Sequence, residues 1–288
     1  MAEGVTLVLG GLGVKGVAHI GTLQALGQHR LRIKRIVATG ISSLVAAQFA
    51  LGRDPDSGTE RFVRFFTENH RYLWGLERLA GLLQSKPQRA ARSFSYFLRE
   101  RLFCRANLNR LSILPWELVE TDLEEFFGGI KNSQLAVPVV VSAIDLRRGR
   151  EVLLEQGSLI NRLKASIAFP GLFPPVHIGK RELVSSTLYC ELPLGSLGRE
   201  HAPILAVDIP TERQAHRPDS IIEMVAQIDE IRSAAVKRIL LARADRVFRL
   251  EGLKKFQWGT YKHIPQLVSQ ARQEMASLLN SSADLWDI

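Results

Sequence analysis

The chain turns at Gly40-Ile41-Ser42-Ser43-Leu44, between an apolar segment, Ile33 to Ala38, and a run with helical character, Leu44 to Leu51. A serine on such a strand-to-helix turn can stand exposed as a nucleophile. A second turn, Gly10-Gly11-Leu12-Gly13-Val14-Lys15-Gly16, follows the apolar segment Val5 to Leu9. Its backbone N–H groups are able to point at a developing oxyanion. Together the two turns are typical of a serine acyl hydrolase.

Apolar runs and helical patterns alternate along most of the chain, which indicates an α/β fold with a largely parallel sheet. A loop leading into a short hairpin is predicted over Gly171 to Leu183, which holds Phe173-Pro174-Pro175 and then Gly179-Lys180. The predicted strands are Val5–Leu9, Ile33–Ala38, Val137–Ile144, Glu151–Leu154, Ile204–Ile209 and Arg246–Leu250. The predicted helices include Val14–Gln28, Leu44–Leu51, Ile221–Ala244 and Ile264–Leu279.

Length and composition fit one large domain over residues 1–288, because 46% of the residues are hydrophobic. The two cysteines, Cys104 and Cys190, are far apart, which excludes a disulfide framework and a thiolate metal site and suits a reducing cytoplasm. We expect no secretory signal, since the N-terminus runs directly into a strand. Ile36 to Gly52 is uncharged but shorter than the ~20 apolar residues of a membrane span. Neither a cofactor nor a metal is expected.

Residues 53–115 are predicted to form a helical insertion, and part of it concentrates the net charge of +9. Between Lys86 and Arg110 the basic residues greatly outnumber the single acid, Glu100, and phenylalanines and a tyrosine are interleaved with them. Such a stretch can meet anionic lipid headgroups, nucleic acid or an acidic partner, or it can be a solvated helical face. The predicted binding surface consists of Arg89, Arg92, Arg99, Arg101 and Arg105.

Both turns resemble motifs of the patatin-like phospholipase family, and the resemblance runs from about Val5 to Leu279. A longer match is Ala165-Ser166-Ile167-Ala168-Phe169-Pro170-Gly171-Leu172-Phe173-Pro174-Pro175, which is similar to the family's A-S-x-A-x-P-G-x-F-P-P segment. The resemblance implies a three-layer α/β sandwich with a mostly parallel central sheet. It also implies a nucleophile at Ser42 and an oxyanion hole formed by Gly11, Leu12 and Gly13.

The resemblance further implies a Ser–Asp dyad, but the family's D-G-[GA] motif corresponds here to Ser185-Ser186-Thr187. An aliphatic hydroxyl at Ser185 is not ionised near neutral pH, so it cannot act as the base. Losing the base of a nucleophile–base pair costs about 10⁴ or more in rate. Leu44 replaces the elbow's second glycine, and Leu12 replaces the middle glycine of the oxyanion turn. If the Leu12 position requires a positive φ, a non-glycine residue costs roughly 1–2 kcal/mol there.

Two main hypotheses follow. In the first, the chain keeps the fold but has lost efficient acyl hydrolysis, and it binds a lipid or acyl chain or a partner protein, for which a patatin-like paralogue is a natural candidate. In the second, it is an active serine lipid acyl hydrolase with a substitute base, Glu191, or a histidine such as His19 or His177. We expect a cytoplasmic protein that meets anionic membranes only peripherally. Nucleic acid is the partner that we expect least.

Overall fold

The computed structural model describes residues 4–29, 31–52, 60, 63–65, 110–212, 217–218, 221–259 and 261–281. Over these ranges eight strands form one sheet, in the order β5-β6-β3-β2-β1-β7-β8, with β4 paired to β3. The strands are β1 Val5–Leu9, β2 Ile33–Ala38, β3 Val139–Asp145, β4 Arg150–Leu154, β5 Val176–Ile178, β6 Arg181–Ser185, β7 Ile204–Asp208 and β8 Arg246–Arg249.

Five of the strands, β3-β2-β1-β7-β8, are parallel to one another, whereas β4 and β6 run antiparallel to β3. The carboxyl ends of β1 and β2 therefore share one edge of the sheet, where ligand sites of open α/β folds lie. The described helices are α1 His19–Gln28, α2 Ile41–Ala50, α3 Glu117–Phe127, α4 Leu159–Ile167, α5 Ile221–Leu241 and α6 Ile264–Asn280.

Helices cover both faces of the sheet, as expected for a three-layer α/β sandwich. Leu7 and Leu9 of β1 point into a large core that also contains buried residues of α1, α2, α4 and α6. Val8 lies on the opposite face, in a smaller core with Leu240 of α5. The strands of the central sheet are apolar on both sides for this reason. The predicted α/β class and mostly parallel sheet are confirmed.

Along one edge, β3 pairs first with β2 and then with β6, and this arrangement positions the functional turns. Its residues 141–145 pair with β4, so β2 and β6 must share the opposite edge. There β2 ends at Ala38, level with Val141, and β6 arrives from the other direction and ends at Ser185, level with Ala143. Ser185 and the turn after β2 therefore meet at one point of the sheet.

Several element boundaries differ from the predicted ones. The helix predicted over Val14–Gln28 begins as a 3₁₀ turn, Gly13–Ala18, and α1 starts only at His19. The helix predicted from Leu44 already begins at Ile41, because Gly40 adopts φ 59° and lets the chain change direction within one residue. Most of the predicted insertion lies outside the described residues, and so does the entire predicted arginine surface from Arg89 to Arg105. No helix in the described part of the chain is long and apolar enough to cross a membrane.

Candidate active site

Ser42 lies in the first turn of α2, two residues after the positive-φ residue Gly40. Its side chain is fully buried, and its Oγ donates a hydrogen bond to the carbonyl oxygen of Gly10 at 3.0 Å. The neighbouring Ser43 Oγ donates to the carbonyl of Gly40 at 2.7 Å and thereby closes the turn. The structure thus places the predicted nucleophile against the glycine-rich turn, with its hydroxyl donating to a backbone carbonyl.

The glycine-rich turn fits closely against this serine. A Cβ on Gly16 would lie 2.8 Å from both the backbone nitrogen and Oγ of Ser42. On the other side of the turn, Gly13 has φ 57°, and a Cβ there would lie 2.3 Å from the carbonyl oxygen of Trp258. Both positions therefore require glycine, one for close approach and one also for its backbone conformation.

The predicted oxyanion-hole residues differ in what their N–H groups do. The N–H of Gly11 donates to the carbonyl of Glu191 at 3.0 Å, so a ligand would have to displace that bond. Leu12 has φ −74° and ψ 128°, an extended conformation that any residue adopts. The condition for a strain cost at Leu12 is therefore not met, and the described residues contain no non-glycine residue with positive φ. An oxyanion hole at Leu12 and Gly13 stays a prediction.

Ser185, at the position of the family's aspartate, lies beside the elbow but bonds elsewhere. Its Oγ is 2.9 Å from Oγ1 of Thr187 and accepts from the Thr187 N–H at 3.4 Å. The Thr187 methyl group packs over Gly40, where a Cβ would lie only 2.7 Å from it. The turn that would carry the base is in place, but the hydroxyls of Ser42 and Ser185 have different hydrogen-bond partners.

Both the carboxylate and the backbone carbonyl of Glu191, the predicted substitute base, accept hydrogen bonds from neighbouring groups. Its carboxylate accepts from the Lys237 ammonium at 2.7 Å and from Thr211 Oγ1 at 3.2 Å, while its carbonyl caps Gly11. Although burial lowers it, the pKa of Lys237 is raised overall by the carboxylates of Glu191 and Asp208. These contacts give Glu191 a role in holding the glycine-rich turn, and its role as a base stays a prediction.

Sequence reasoning missed the ionic cluster around Glu191, because its members are far apart along the chain. Lys237 also pairs with Asp208 at 2.5 Å, and Arg249 pairs with the same carboxylate at 3.0 Å. Lys15, from the glycine-rich turn, is buried nearby and donates to the carbonyl of Pro210 at 2.7 Å. Burial lowers the pKa of Lys15 to about 8. Through Glu191 and Lys15, this ionic cluster holds the glycine-rich turn in place.

His19, one of the two histidines considered as a base, does not accept the serine proton in the described hydrogen bonds. Its Nε2 lies 2.6 Å from the carbonyl oxygen of Gly10, the same oxygen that accepts from Ser42. Because a carbonyl only accepts, Nε2 must carry the hydrogen. Burial lowers the pKa of His19 to about 4, so the ring is neutral at physiological pH. His19 and Ser42 are both donors to one acceptor.

This burial predicts a specific acid sensitivity. The folded pKa of about 4 lies below the ordinary value of 6.5, so between these pH values the unfolded chain binds more protons. The wild type should lose about 3 kcal/mol of unfolding free energy as pH falls through this window. His19→Gln should remove most of that loss, whereas His177→Gln, at an exposed position, should not. Urea unfolding at several pH values between 4 and 7 measures this, and parallel curves for all three proteins would contradict it.

Known relatives include several of unassigned activity. An uncharacterized NTE family protein of Mycobacterium bovis is 26% identical over 200 residues, which are 69% of this chain and 47% of that protein. The lysophospholipase NTE1 of Debaryomyces hansenii is 24% identical over 208 residues, 72% of this chain and 12% of that protein. The chain thus spans just under half, or much less, of the length of these relatives.

Among solved structures, VipD from Legionella pneumophila aligns over 97% of this chain and 67% of its own, with a TM-score of 0.49 and 14% identity. ExoU, in complex with SpcU from Pseudomonas aeruginosa, aligns over 96% of this chain and 51% of its own, with a TM-score of 0.43 and 14% identity. The family model described as "Patatin-like phospholipase" matches residues 7–195, which is more than half of the chain and includes both turns and Ser185. The chain belongs to the patatin-like phospholipase family.

Proposed function

We propose that this protein keeps the patatin-like fold, hydrolyses acyl esters poorly, and acts by binding a lipid acyl chain or a partner protein. The observation that carries the proposal is the hydrogen bond from Ser42 Oγ to the Gly10 carbonyl, together with a hydroxyl at Ser185 where the family has its base. A carbonyl cannot take up the serine proton, so Ser42 has no activating partner among its described hydrogen bonds. Without a base, oxyanion binding and substrate positioning alone remain, at a cost of about 10⁴ in rate.

Binding of an acyl chain is supported by the apolar surroundings of the two turns. The rings of Phe169 and Trp258 stack with centroids 5.9 Å apart, and Trp258 also contacts the glycine-rich turn through its carbonyl. The half-buried Leu12 packs against the large core beside Gly13. A lipid chain is the ligand that such apolar side chains accommodate. Peripheral contact with an anionic membrane, and a cytoplasmic location, belong to the same proposal.

Binding of a partner protein is supported by an exposed apolar stripe on α5. Ile221, Met224, Ile228 and Ile231 are spaced alternately three and four residues apart and are 39–82% exposed. This spacing fits packing against another helix, and a stripe of this kind is complementary to itself in a two-fold dimer. Leu240, on the inner side of the same helix, is buried in the smaller core, so the stripe faces outward. We therefore expect a second copy of this chain, or a similar paralogue, as partner.

A second candidate function is an active serine lipid acyl hydrolase that uses Ser42 with a substitute base. It is favoured by the geometry of the elbow, in which Gly40 has a positive φ and Gly16 lies directly against Ser42, although Leu44 replaces the second glycine. These are features that a nucleophile elbow needs, and a chain without catalysis does not require them.

Hydrolysis of a short-chain p-nitrophenyl ester and of a phospholipid distinguishes the two functions. We expect wild type and Ser42→Ala to be equal, because no described group takes up the serine proton. A wild-type rate clearly above that of Ser42→Ala would establish the second function instead. Light scattering on the same samples tests the partner half of the proposal, for which a monomer at all concentrations would be the contrary result.

A further inference from the structure

A chain of three buried hydroxyls connects a carboxyl group to the elbow. Ser142 Oγ donates to Glu151 Oε1 at 2.7 Å and lies 2.8 Å from Ser186 Oγ. Ser186 Oγ in turn lies 2.6 Å from Oγ1 of Thr39. All three hydroxyls are fully buried, in an interior where a satisfied polar network is strong and specifies its geometry.

This row of hydroxyls connects the two polypeptide segments that would carry the nucleophile and the base of a Ser–Asp dyad. Thr39 directly precedes Gly40 and the nucleophile turn, while Ser186 directly follows Ser185 at the base position. Both segments lie on the same edge of β3, where β2 and β6 end, and the described strand pairings include no backbone ladder between the two. The Thr39–Ser186 hydrogen bond is thus a side-chain link across the gap between two strand ends.

Glu151 lies at the Ser142 end of the row of hydroxyls, and its carboxylate accepts the hydrogen bond from Ser142 Oγ. Its Oε2 is buried and has no hydrogen-bond partner at bonding distance among the described residues, and a Cβ on Gly195 would lie 2.5 Å from that oxygen. Burial raises the pKa of Glu151, and the hydroxyls of Ser142 and Ser196 and the more distant Arg243 guanidinium oppose this rise. The thiol of Cys190 is a further titratable neighbour.

We propose that Glu151 is a positioning residue, whose negative charge orders the hydroxyl chain and thereby holds the Ser185–Thr187 turn against the nucleophile elbow. When Glu151 is ionised, it can only accept, so Ser142 donates to it and Ser186 donates to Ser142. Thr39 then donates to Ser186 Oγ at 2.6 Å, which is closer than its other acceptor, the Ser142 carbonyl at 3.5 Å. When Glu151 is protonated, this common direction is lost and each link weakens. The inference goes beyond the proposed function, because it holds whether or not Ser42 turns over an ester.

Hydrogen exchange of backbone amides in the purified full chain tests this inference. Ser142→Ala and Ser186→Ala each interrupt the hydroxyl chain and should speed exchange about tenfold or more in peptides covering residues 39–43 and 185–188, the lower end of what a hydrogen bond to a charged group contributes. Ser166→Ala is the matched control, because Ser166 is also fully buried but its Oγ has no hydrogen-bond partner among the described residues. It should leave both peptides unchanged.

The pH dependence separates positioning by charge from simple packing. After correction for intrinsic rates, protection of both wild-type peptides should rise with pH as Glu151 ionises, and Glu151→Gln should abolish this rise while keeping an acceptor for Ser142. Unchanged exchange in the serine variants, or the same pH profile in wild type and Glu151→Gln, would overturn the inference. So would faster exchange spread evenly over the whole sheet, because it would show a general loss of stability.

Discussion

Ser185→Asp is expected to raise ester hydrolysis by roughly 10²-fold or more over the wild type, because it restores a base to a nucleophile–base pair whose loss costs about 10⁴. The pairing of β6 with β3 already places residue 185 beside the elbow. A carboxylate there would replace the present hydroxyl, which bonds to Thr187 Oγ1 at 2.9 Å. The expected gain is smaller than the full cost, since the N–H of Gly11 is already bonded to Glu191.

Two variants make the measurement specific. Ser185→Asn has nearly the same shape as the aspartate but no charge, so it should stay at the wild-type rate. Adding Ser42→Ala to Ser185→Asp should return hydrolysis to background, since the new base would then have no nucleophile to activate. A folded Ser185→Asp protein without any gain on either the p-nitrophenyl ester or the phospholipid would contradict the prediction and would point to the oxyanion turn as a second defect.

Gly10→Ala should cost about 3 kcal/mol or more of unfolding free energy, an effect of the size that severe overpacking produces. A Cβ at this position would lie 1.8 Å from the carbonyl oxygen of Glu191. The clash is with backbone, so no side-chain rotation can relieve it. Moving Glu191 would break its bond to the Gly11 N–H and disturb its ion pair with Lys237.

Gly27→Ala is the matched control for this substitution. Gly27 lies in α1, is exposed, and has no atom within 4 Å of the position of a Cβ. Alanine should therefore stabilise the protein by about 0.5–1 kcal/mol, the difference in helix propensity. Urea unfolding of both variants gives the two free energies, and a Gly10→Ala protein as stable as wild type would mean that the Glu191 segment can move away freely.

Much of the sheet was predictable because its strands are local apolar runs. Val5–Leu9 and Ile33–Ala38 have the predicted bounds, and β3 differs from its prediction by two residues at the start and one at the end. The start of α2 was wrong by three residues, because the residues after Gly40 read as a turn in sequence, whereas a positive φ at Gly40 completes the turn alone. The positions of Ser42 and Ser185 were predicted from the spacing of the family's motifs. That spacing can still be recognised when individual motif residues are substituted.

The remaining parts of the site depend on contacts between distant segments, and no local pattern encodes them. Glu191 meets Lys237 across 46 residues, and Ser186 meets Thr39 across 147. The shared acceptor at Gly10 is a backbone group, whose role the residue type does not reveal. The strain expected at Leu12 was conditional on a backbone conformation that only the folded chain could supply.

The tight hairpin between β5 and β6 fixes where residue 185 lies relative to the elbow. Only Gly179 and Lys180 separate the paired residues Ile178 and Arg181, and Gly179 takes φ 60° to allow this. In a strand, a shift by one residue turns every side chain to the opposite face. One residue inserted into this turn could therefore carry position 185 away from the elbow without touching either motif. Hydrolytic activity in this fold can thus be gained or lost at the end of a single strand, β6, while the rest of the sheet stays the same.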